Sequence, residues 1–401
     1  MLLEEVELLL IRPKPHVDES LESYFLRLAQ SNGFEKYKSF VSALNFELSK
    51  LNGTKSRLLP HDLHALNPCF AQHSSKERLK CLKQISMMTA QDVLPVLSLA
   101  IYRANQKYSS GVGCVIQQGR LYPRQFLRQS NIGICPECLG EASYIRQIWH
   151  FEPYTVCHLH CCPLIHQCTC GERIDYLFLD SIDQCPECGI AYKDIKVVIK
   201  ADEEELHISK WLAGEHVGAF PAVSIVHRWG LYLWWLQIRE AISGSKHFNE
   251  YMIQWPKFFD KYLNTCLSHL EMKAASVKHT KFSDVFGDIL IKSIRLPSSR
   301  LADNLVLRHL YQFLHTQLSQ PSSNLNKITV NAIEASILLG TSIDQISALY
   351  DQGELHSFMK FKSDEIIQPH QSVFQLGELF LLWLSRFQVE GSNYHVMTST
   401  W

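Results

Sequence analysis

The sequence lacks the features of a secreted or membrane-bound protein. Its start, Met1–Ile11, carries three glutamates but no basic stretch and no cleavage site, so it does not form a secretory signal peptide. The longest apolar stretch, Val93–Ile101, is too short to cross a bilayer and contains Pro95. We therefore expect a cytoplasmic protein that has no contact with membranes.

The sequence also has little net charge, −1 at pH 7 over 401 residues. Such a balance argues against a surface that coats nucleic acid nonspecifically, so any contact must come from a local patch. Hydrophobic residues make up 46% of the chain, enough for two or three domains with cores of their own. No internal repeat or low-complexity tract stands out.

Helical spacing of apolar residues dominates both ends of the chain, which predicts a mainly α fold. Near the N-terminus we expect Asp18 to cap a helix that buries one face and stops at Asn32-Gly33. Residues Leu79–Ala100 predict two short helices at an angle, either a helix-turn-helix or a plain helical hairpin. Arg228–Trp235 is apolar nearly all round and predicts a buried helix.

A second helix-turn-helix candidate lies at Val330–Tyr350. Gly340 permits the sharp turn, and Thr341 or Ser342 can cap the second helix. That second helix has no Lys or Arg before Lys360, although a helix in a DNA groove usually brings cations and amides to phosphates and bases. The charge therefore favours a protein contact for this element.

Nine of the thirteen cysteines lie between Cys135 and Cys188, which in a reducing compartment indicates metal binding. Two four-ligand sets can be written from CxxC, CxC and CxxH pairs, which supply the donors that tetrahedral zinc prefers. The first set spans eighteen residues between its pairs and the second fourteen: Cys135, Cys138, Cys157 and His160; and Cys168, Cys170, Cys185 and Cys188. We expect two structural Zn²⁺ ions, since each set closes with four protein ligands.

Some ligand choices stay open. His158, Cys161 and Cys162 are near enough in sequence to compete with His160, which we prefer because it repeats the knuckle spacing. His150-Phe151-Glu152 imitates the HxE motif of zinc deaminases, but no PCxxC follows it, so a catalytic zinc is the less favoured alternative.

The best nucleic-acid candidate is the segment from Ile101 to Ile134, which contains no Asp or Glu. Within it Tyr108–Gly119 is rich in Ser and Gly and is interpreted as a linker. A helix starting near Pro123 would present three of its arginines, four residues apart, on one face. The basic residues of the segment, candidate contacts for phosphates or a partner, are Arg103, Lys107, Arg120, Arg124 and Arg128.

These features divide the chain into three expected segments. Residues 1–110 form a helical domain of helix-turn-helix character, residues 111–200 hold the tandem zinc motifs, and residues 201–401 form a helical domain with a helix-turn-helix-like element.

The motifs together resemble the TniQ family. The resemblance rests on Arg12–Pro15 with Asp18–Tyr24, on Ile134–Cys138, on Trp149–Phe151 and on Cys157–His160, and it extends to Trp211–Gly214 and Arg228–Gly230. The length is similar to that of the short TniQ proteins of CRISPR-associated transposons with a type I-F effector, whereas site-specific members similar to TnsD are usually longer.

This resemblance implies a non-catalytic adaptor in transposition. It would form a head-to-tail homodimer on a crRNA-guided Cascade complex, beside the crRNA-processing subunit and a backbone subunit. It would then recruit the AAA+ regulator TnsC and, through it, the transposase, while touching target DNA only weakly or indirectly. The alternatives are a DNA-reading target selector of the TnsD kind and, third, a zinc hydrolase or deaminase.

Overall fold

The structure is a computed structural model that describes residues 9–52, 59–71, 75–90, 93–109, 111–218, 220–240, 247–272, 280–294, 296–320, 323–359 and 368–387. Residues 1–8 of the acidic start and Ser110 of the expected linker lie outside this description. The chain divides into two compact units, one of residues 1–107, 112–218 and 224–229 and the other of residues 108–111, 219–223 and 230–401. The three-segment division at residues 110 and 200 stays a prediction.

The first unit begins with helices. They are α1 (Leu21–Ser31), α2 (Tyr37–Asn52), α3 (Ser75–Met88) and α4 (Val93–Ser98). α1 buries the predicted face and ends as predicted, since Asn32 is its C-cap and Gly33 has a φ of 79°. α3 and α4 pack against each other, which confirms the expected pair of short helices.

The expected cap of α1 was wrong. Ser20 is the N-cap, because its side chain accepts a hydrogen bond from the Ser23 amide. Asp18 bonds instead to Tyr144 and Arg146, far along the chain. Local sequence favours Asp at a cap, but here the distant partners determine where the carboxylate points.

A three-stranded sheet follows, of order β1 (Tyr102–Ser109), β2 (Val112–Gln117) and β3 (Arg120–Pro123). β2 and β3 are antiparallel, and the turn residues Gln118 and Gly119 have φ values of 48° and 74°. Two successive positive φ values are typical of the type I′ hairpin turn. The linker expected at Tyr108–Gly119 was therefore wrong, because the segment contains β2 and Gly119 lies in the hairpin turn between β2 and β3.

The helix expected to carry three arginines on one face was also wrong. Arg120 begins β3, Arg124 begins a short 3₁₀ helix (Arg124–Phe126), and Arg128 follows that helix. Pairing of β3 with β2 holds residues 120–123 extended and a short 3₁₀ helix follows, so no single helix spans the three arginines.

Small elements hold the cysteine-rich segment. They are α5 (Pro136–Glu141), β4 (Val156–Cys157), β5 (Cys162–Pro163), α6 (Tyr176–Leu179) and, after it, α7 (Glu203–Ala213). β4 and β5 form an antiparallel hairpin, and α5 packs on a 3₁₀ turn at Tyr192–Asp194. The core of the first unit joins α1 and α2 to this segment and includes Trp149, Cys135, Cys138 and Cys157.

The second unit is helical. Its elements, starting with the helix that enters the unit at residue 230, are α8 (Ile225–Ile238), α9 (Phe248–Ile253), α10 (Lys257–Met272), α11 (Phe282–Phe286), α12 (Ile289–Ser293), α13 (Leu305–Leu318), β6 (Thr329–Val330), α14 (Ala332–Leu339), α15 (Ile343–Asp351), β7 (Phe374–Gln375), α16 (Leu376–Leu382) and a π-helical turn at Trp383–Phe387. α8 buries its tryptophans, as predicted. β6 and β7 pair antiparallel.

α14 and α15 are the two helices of the expected C-terminal helix-turn-helix. Gly340 ends α14 in the left-handed conformation, with a φ of 67°, and Ser342 caps α15 by accepting from the Gln345 amide. The mainly α fold with a central cysteine-rich segment is thus confirmed. Within the described ranges, no helix combines the length and apolarity needed to cross a membrane.

Candidate metal centres

The first cluster contains Cys135, Cys138, Cys157 and His160, whose donor atoms all lie within 4.8 Å of one another. Cys135 caps α5, and Pro136 at the first helical position fixes the turn that brings Cys138 beside it. Cys157 comes from β4. Its Sγ is 3.6 Å from Cys138 Sγ, so a helix start and a hairpin deliver the thiols from two sides.

The histidine of this cluster is His160. Its Nδ1 lies 3.5, 3.3 and 3.6 Å from the Sγ atoms of Cys135, Cys138 and Cys157. His158 points elsewhere, since its Nδ1 is 2.6 Å from the hydroxyl of Tyr154. The choice left open between the two histidines therefore falls on His160.

Glu141 supports that histidine from outside the cluster. Its Oε1 lies 3.1 Å from His160 Nε2, the ring nitrogen opposite the one that faces the sulfurs. With Nδ1 facing the cluster, Nε2 carries the proton and donates a hydrogen bond to the carboxylate of Glu141. This arrangement fixes the tautomer and orientation of a metal-binding imidazole. No spacing rule pointed to Glu141, because it lies on α5 and contacts His160 only through the fold.

The second cluster contains four cysteines, Cys168, Cys170, Cys185 and Cys188, again with all donor atoms within 4.8 Å. Cys168 Sγ is 3.6 Å from Cys188 Sγ, and Cys170 Sγ is 3.8 Å from Cys185 Sγ. Gly171 and Gly189, each just after a knuckle, have φ values of 91° and 72°, which lets the backbone turn back under the sulfurs.

Both clusters fit a tetrahedral metal ion. Two sulfurs bound to one zinc at about 2.3 Å stand about 3.8 Å apart in a regular tetrahedron. The observed sulfur separations of 3.6–3.8 Å match that value, and they are far longer than a disulfide bond of about 2.05 Å. Three thiolates with an imidazole, and four thiolates, are both donor sets that close a structural zinc site. The two clusters are thus positioned to hold metal ions, with no ligand position left open within either set of four.

The HxE motif joins neither cluster. His150 is buried, and its Nε2 lies 2.6 Å from the hydroxyl of Tyr176. Burial lowers the pKa of His150 to about 3, so the imidazole is neutral at physiological pH. Glu152 is exposed. His150 and Glu152 thus lie outside both groups of residues that are positioned to hold a metal ion.

The five basic candidates do not form a single patch. Arg103 is exposed on β1 and donates from Nε to the carbonyl of Cys69 at 2.7 Å. Arg124 is a second cation near Cys69. Burial raises the pKa of the Cys69 thiol to about 12, although the guanidinium groups of Arg124 and Arg103 act in the opposite direction. Lys107 is exposed four residues along β1 from Arg103, hence on the same face of the strand.

The other two arginines lie apart from that face. Arg120 lines a cavity of about 110 Å³ with Tyr122, Gln147 and Trp229. Arg128 is half-buried and donates to the carbonyl of Glu152 at 3.1 Å; burial lowers its pKa. We define the β1 patch as Arg103 and Lys107 on β1 together with Arg124 on the 3₁₀ helix after β3, and its contact with phosphates stays a prediction.

Comparison with known proteins gives one finding. The family model named TniQ matches residues 10–164, from just before α1 through the last ligand of the first cluster. No curated protein matches the chain. A TniQ domain suggests a protein associated with transposition that selects targets or binds DNA. The match covers less than half of the chain, so residues 10–164 form a TniQ domain within it.

Proposed function

We propose that the protein is a non-catalytic target-selection adaptor in transposition, linking a crRNA-guided Cascade complex to TnsC and the transposase. The TniQ domain supports a role in transposition, either in target selection or in DNA binding. Two metal clusters closed by four ligands each support a structural rather than a catalytic use of zinc.

The observation that carries the adaptor role is the surface of α15. Its exposed side chains include Asp344, Ser347, Ala348 and Asp351, and the helix has no Lys or Arg. A recognition helix meets two rows of phosphates as it enters a major groove, so uncompensated carboxylates there oppose binding. A protein surface, by contrast, accepts such a helix when it offers complementary charge.

The partners follow from the resemblance to short TniQ proteins. We propose a cytoplasmic, head-to-tail homodimer that contacts the crRNA-processing and backbone subunits of Cascade and recruits TnsC. Target DNA then contacts this chain weakly or indirectly, because sequence is read by the guide RNA.

One observation favours the second candidate, a DNA-reading selector of the TnsD kind. The β1 patch has two cations on β1 and one on the 3₁₀ helix after β3, and the three strands of this sheet contain no acidic residue. This surface fits a phosphate backbone better than α15 does.

Co-purification with a Cascade–crRNA complex tests the adaptor role, with a double charge reversal on α15, Asp344→Lys with Asp351→Lys, as the variant. We expect the wild type to elute with the complex and the variant to lose most of that association while keeping its metal content. Glu47→Lys is the matched control, because it reverses a partly exposed helical charge whose ion pair with Lys50 contributes little stability.

Duplex DNA binding at physiological salt, scanned over many sequences without RNA, tests the alternative. We expect weak binding without sequence preference. Tight binding to one sequence, lost on replacing Arg103, Lys107 and Arg124 by Ala, would overturn the adaptor role in favour of the DNA-reading selector.

A further inference from the structure

A fifth thiol lies against the first cluster. Cys162 Sγ is 3.5 Å from Cys135 Sγ, the same distance that separates Cys135 Sγ from His160 Nδ1. The residue is buried, with 7% of its surface exposed. Its sulfur does not belong to the group of four donors that lie within 4.8 Å of one another, so it stands just outside the tetrahedron.

The β4–β5 hairpin explains why this thiol reaches the cluster. In its register, Cys162 on β5 stands directly opposite the ligand Cys157 on β4. Side chains of directly opposite residues project to the same face of an antiparallel pair. Cys162 therefore neighbours two of the three thiol residues of the cluster. Cys157 lies across the hairpin, and Cys135 is the N-cap residue of α5.

The adjacent cysteine shows the contrast. Cys161 occupies the hairpin turn with a φ of 54°, is exposed, and directs its sulfur at the carbonyl of His158. Two neighbouring cysteines thus have different surroundings, one at solvent and one at the metal ligands.

Among the four ligands, His160 is the one most readily exchanged. The three cysteines of the cluster are buried, whereas His160 is partly exposed and is held from outside by the largely exposed Glu141. A ligand at the solvent side can leave without opening the core.

We propose that Cys162 is a reserve ligand of the first metal centre, able to replace His160 in the tetrahedron. In the exchange the metal–Nδ1 bond breaks and a metal–sulfur bond forms. The Cys162 proton passes to water, and His160 leaves as a neutral imidazole. The centre gains one negative charge, and His160 and Glu141 become free to contact solvent or a partner while the metal stays bound. This inference rests on the metal assignment and not on the adaptor role.

Cadmium-113 NMR of the metal-exchanged full chain tests the exchange, because each centre gives its own resonance and the shift reports the number of thiolate ligands. His160→Ala removes the imidazole. We expect this variant to keep two metal ions per chain, with the first resonance moved to the four-thiolate region beside that of the second centre. The second resonance also reports that the cysteine-rich segment is folded.

The neighbouring cysteine supplies the matched control. His160→Ala with Cys161→Ala is expected to behave as His160→Ala alone, whereas His160→Ala with Cys162→Ala is expected to lose one metal ion per chain. Cys162→Ala alone is expected to keep both ions and an unshifted three-thiolate resonance.

Two results would overturn the proposal. One is loss of the first metal ion, or of folded protein, in His160→Ala, since a reserve ligand should retain the ion. The other is retention of that ion with a three-thiolate shift, which would mean that water had taken the vacated position. Both outcomes are read from metal content and resonance position without any assay of transposition.

Discussion

The two metal clusters have similar donor geometry and very different surroundings. In the first, three cysteines are buried in the core that α1 and α2 share, and His160 is hydrogen-bonded to the carboxylate of Glu141. In the second, Cys170 and Cys188 are exposed, and the four ligands come from two short loops. The first cluster has three of its four residues in this core, whereas the second has two there, Cys168 and Cys185, and exposes the other two. Similar coordination can therefore contribute very differently to stability.

The largest expected difference comes from removing one thiol in each cluster. Cys138→Ser should unfold the first unit and leave the protein insoluble, because a structural zinc contributes on the order of 10 kcal/mol and a whole domain is stable by about 5–15 kcal/mol. Cys188→Ser should lose one metal ion while the rest of the first unit stays folded. Metal content and circular dichroism of the soluble fraction measure both. Equal solubility of the two variants would contradict the expectation that the more buried first cluster contributes more to stability than the second.

The core shared with the first cluster also buries an acid. Glu22 accepts from the Asn67 side chain at 2.5 Å, and burial raises its pKa from 4.5 to about 7. The folded state then holds a proton that the unfolded state has released, so the contribution of Glu22 to stability is highest below pH 4.5 and falls between pH 4.5 and about 7. Glu22→Gln should remove this loss and stabilise the protein at pH 8 by roughly 1–3 kcal/mol.

Denaturant unfolding at pH 5 and pH 8 measures this effect, and Glu19 provides the matched control. The pKa of Glu19 is also raised to about 7 by burial, but its carboxylate pairs with Arg27 at 3.0 Å. Glu19→Gln should not stabilise the protein at pH 8, because Arg27 would lose its partner. A Glu22→Gln variant with an unchanged pH profile would show that Glu22 is ionised at no cost in the folded state.

A smaller effect is expected where the N-terminal segment is joined to the first cluster. Asp18 accepts from the Tyr144 hydroxyl at 2.8 Å and pairs with Arg146, and the Ser20 amide donates to the carbonyl of Ile145 at 2.9 Å. Asp18→Ala should cost about 1–2 kcal/mol, from two lost hydrogen bonds at a half-exposed carboxylate. Asp183→Ala, at an exposed acid beside the second cluster, should cost less than about 0.5 kcal/mol. Equal losses in chemical unfolding would contradict the contrast between the clusters.

Sequence predicted the features whose structure depends on neighbouring residues. It missed those that depend on residues far away in the chain. The grouping of the eight residues into two clusters was predicted from CxxC, CxC and CxxH spacing, since a knuckle is a local turn that needs only its own residues. The buried α8 was predicted from apolar residues alone. Asp18 was missed as a contact, because its partners lie 126 and 128 residues away in sequence. The sheet was missed because Ser and Gly in hairpin turns have the composition of a linker.

The smallest expected effect isolates the one support that only the first cluster has among the described residues. Glu141→Gln keeps the size of the side chain but replaces the carboxylate that accepts from His160 Nε2. Loss of such a partner typically weakens metal binding by about 10–100-fold, and the exposure of Glu141 places the expected loss near tenfold. The affinity of the second cluster should be unchanged, since four thiolates bind there without a histidine.

Competition with a chromophoric chelator measures the affinity of each centre for its metal ion, provided that the two ions leave at different chelator concentrations. Cadmium-113 resonances assign each loss to its centre. Glu137→Gln is the control, because that acid lies on the same short helix, whereas His160 Nε2 bonds to Glu141. If Glu141→Gln and Glu137→Gln weaken the first centre equally, general charge near the cluster, and not the bond to His160, accounts for the difference between the two centres.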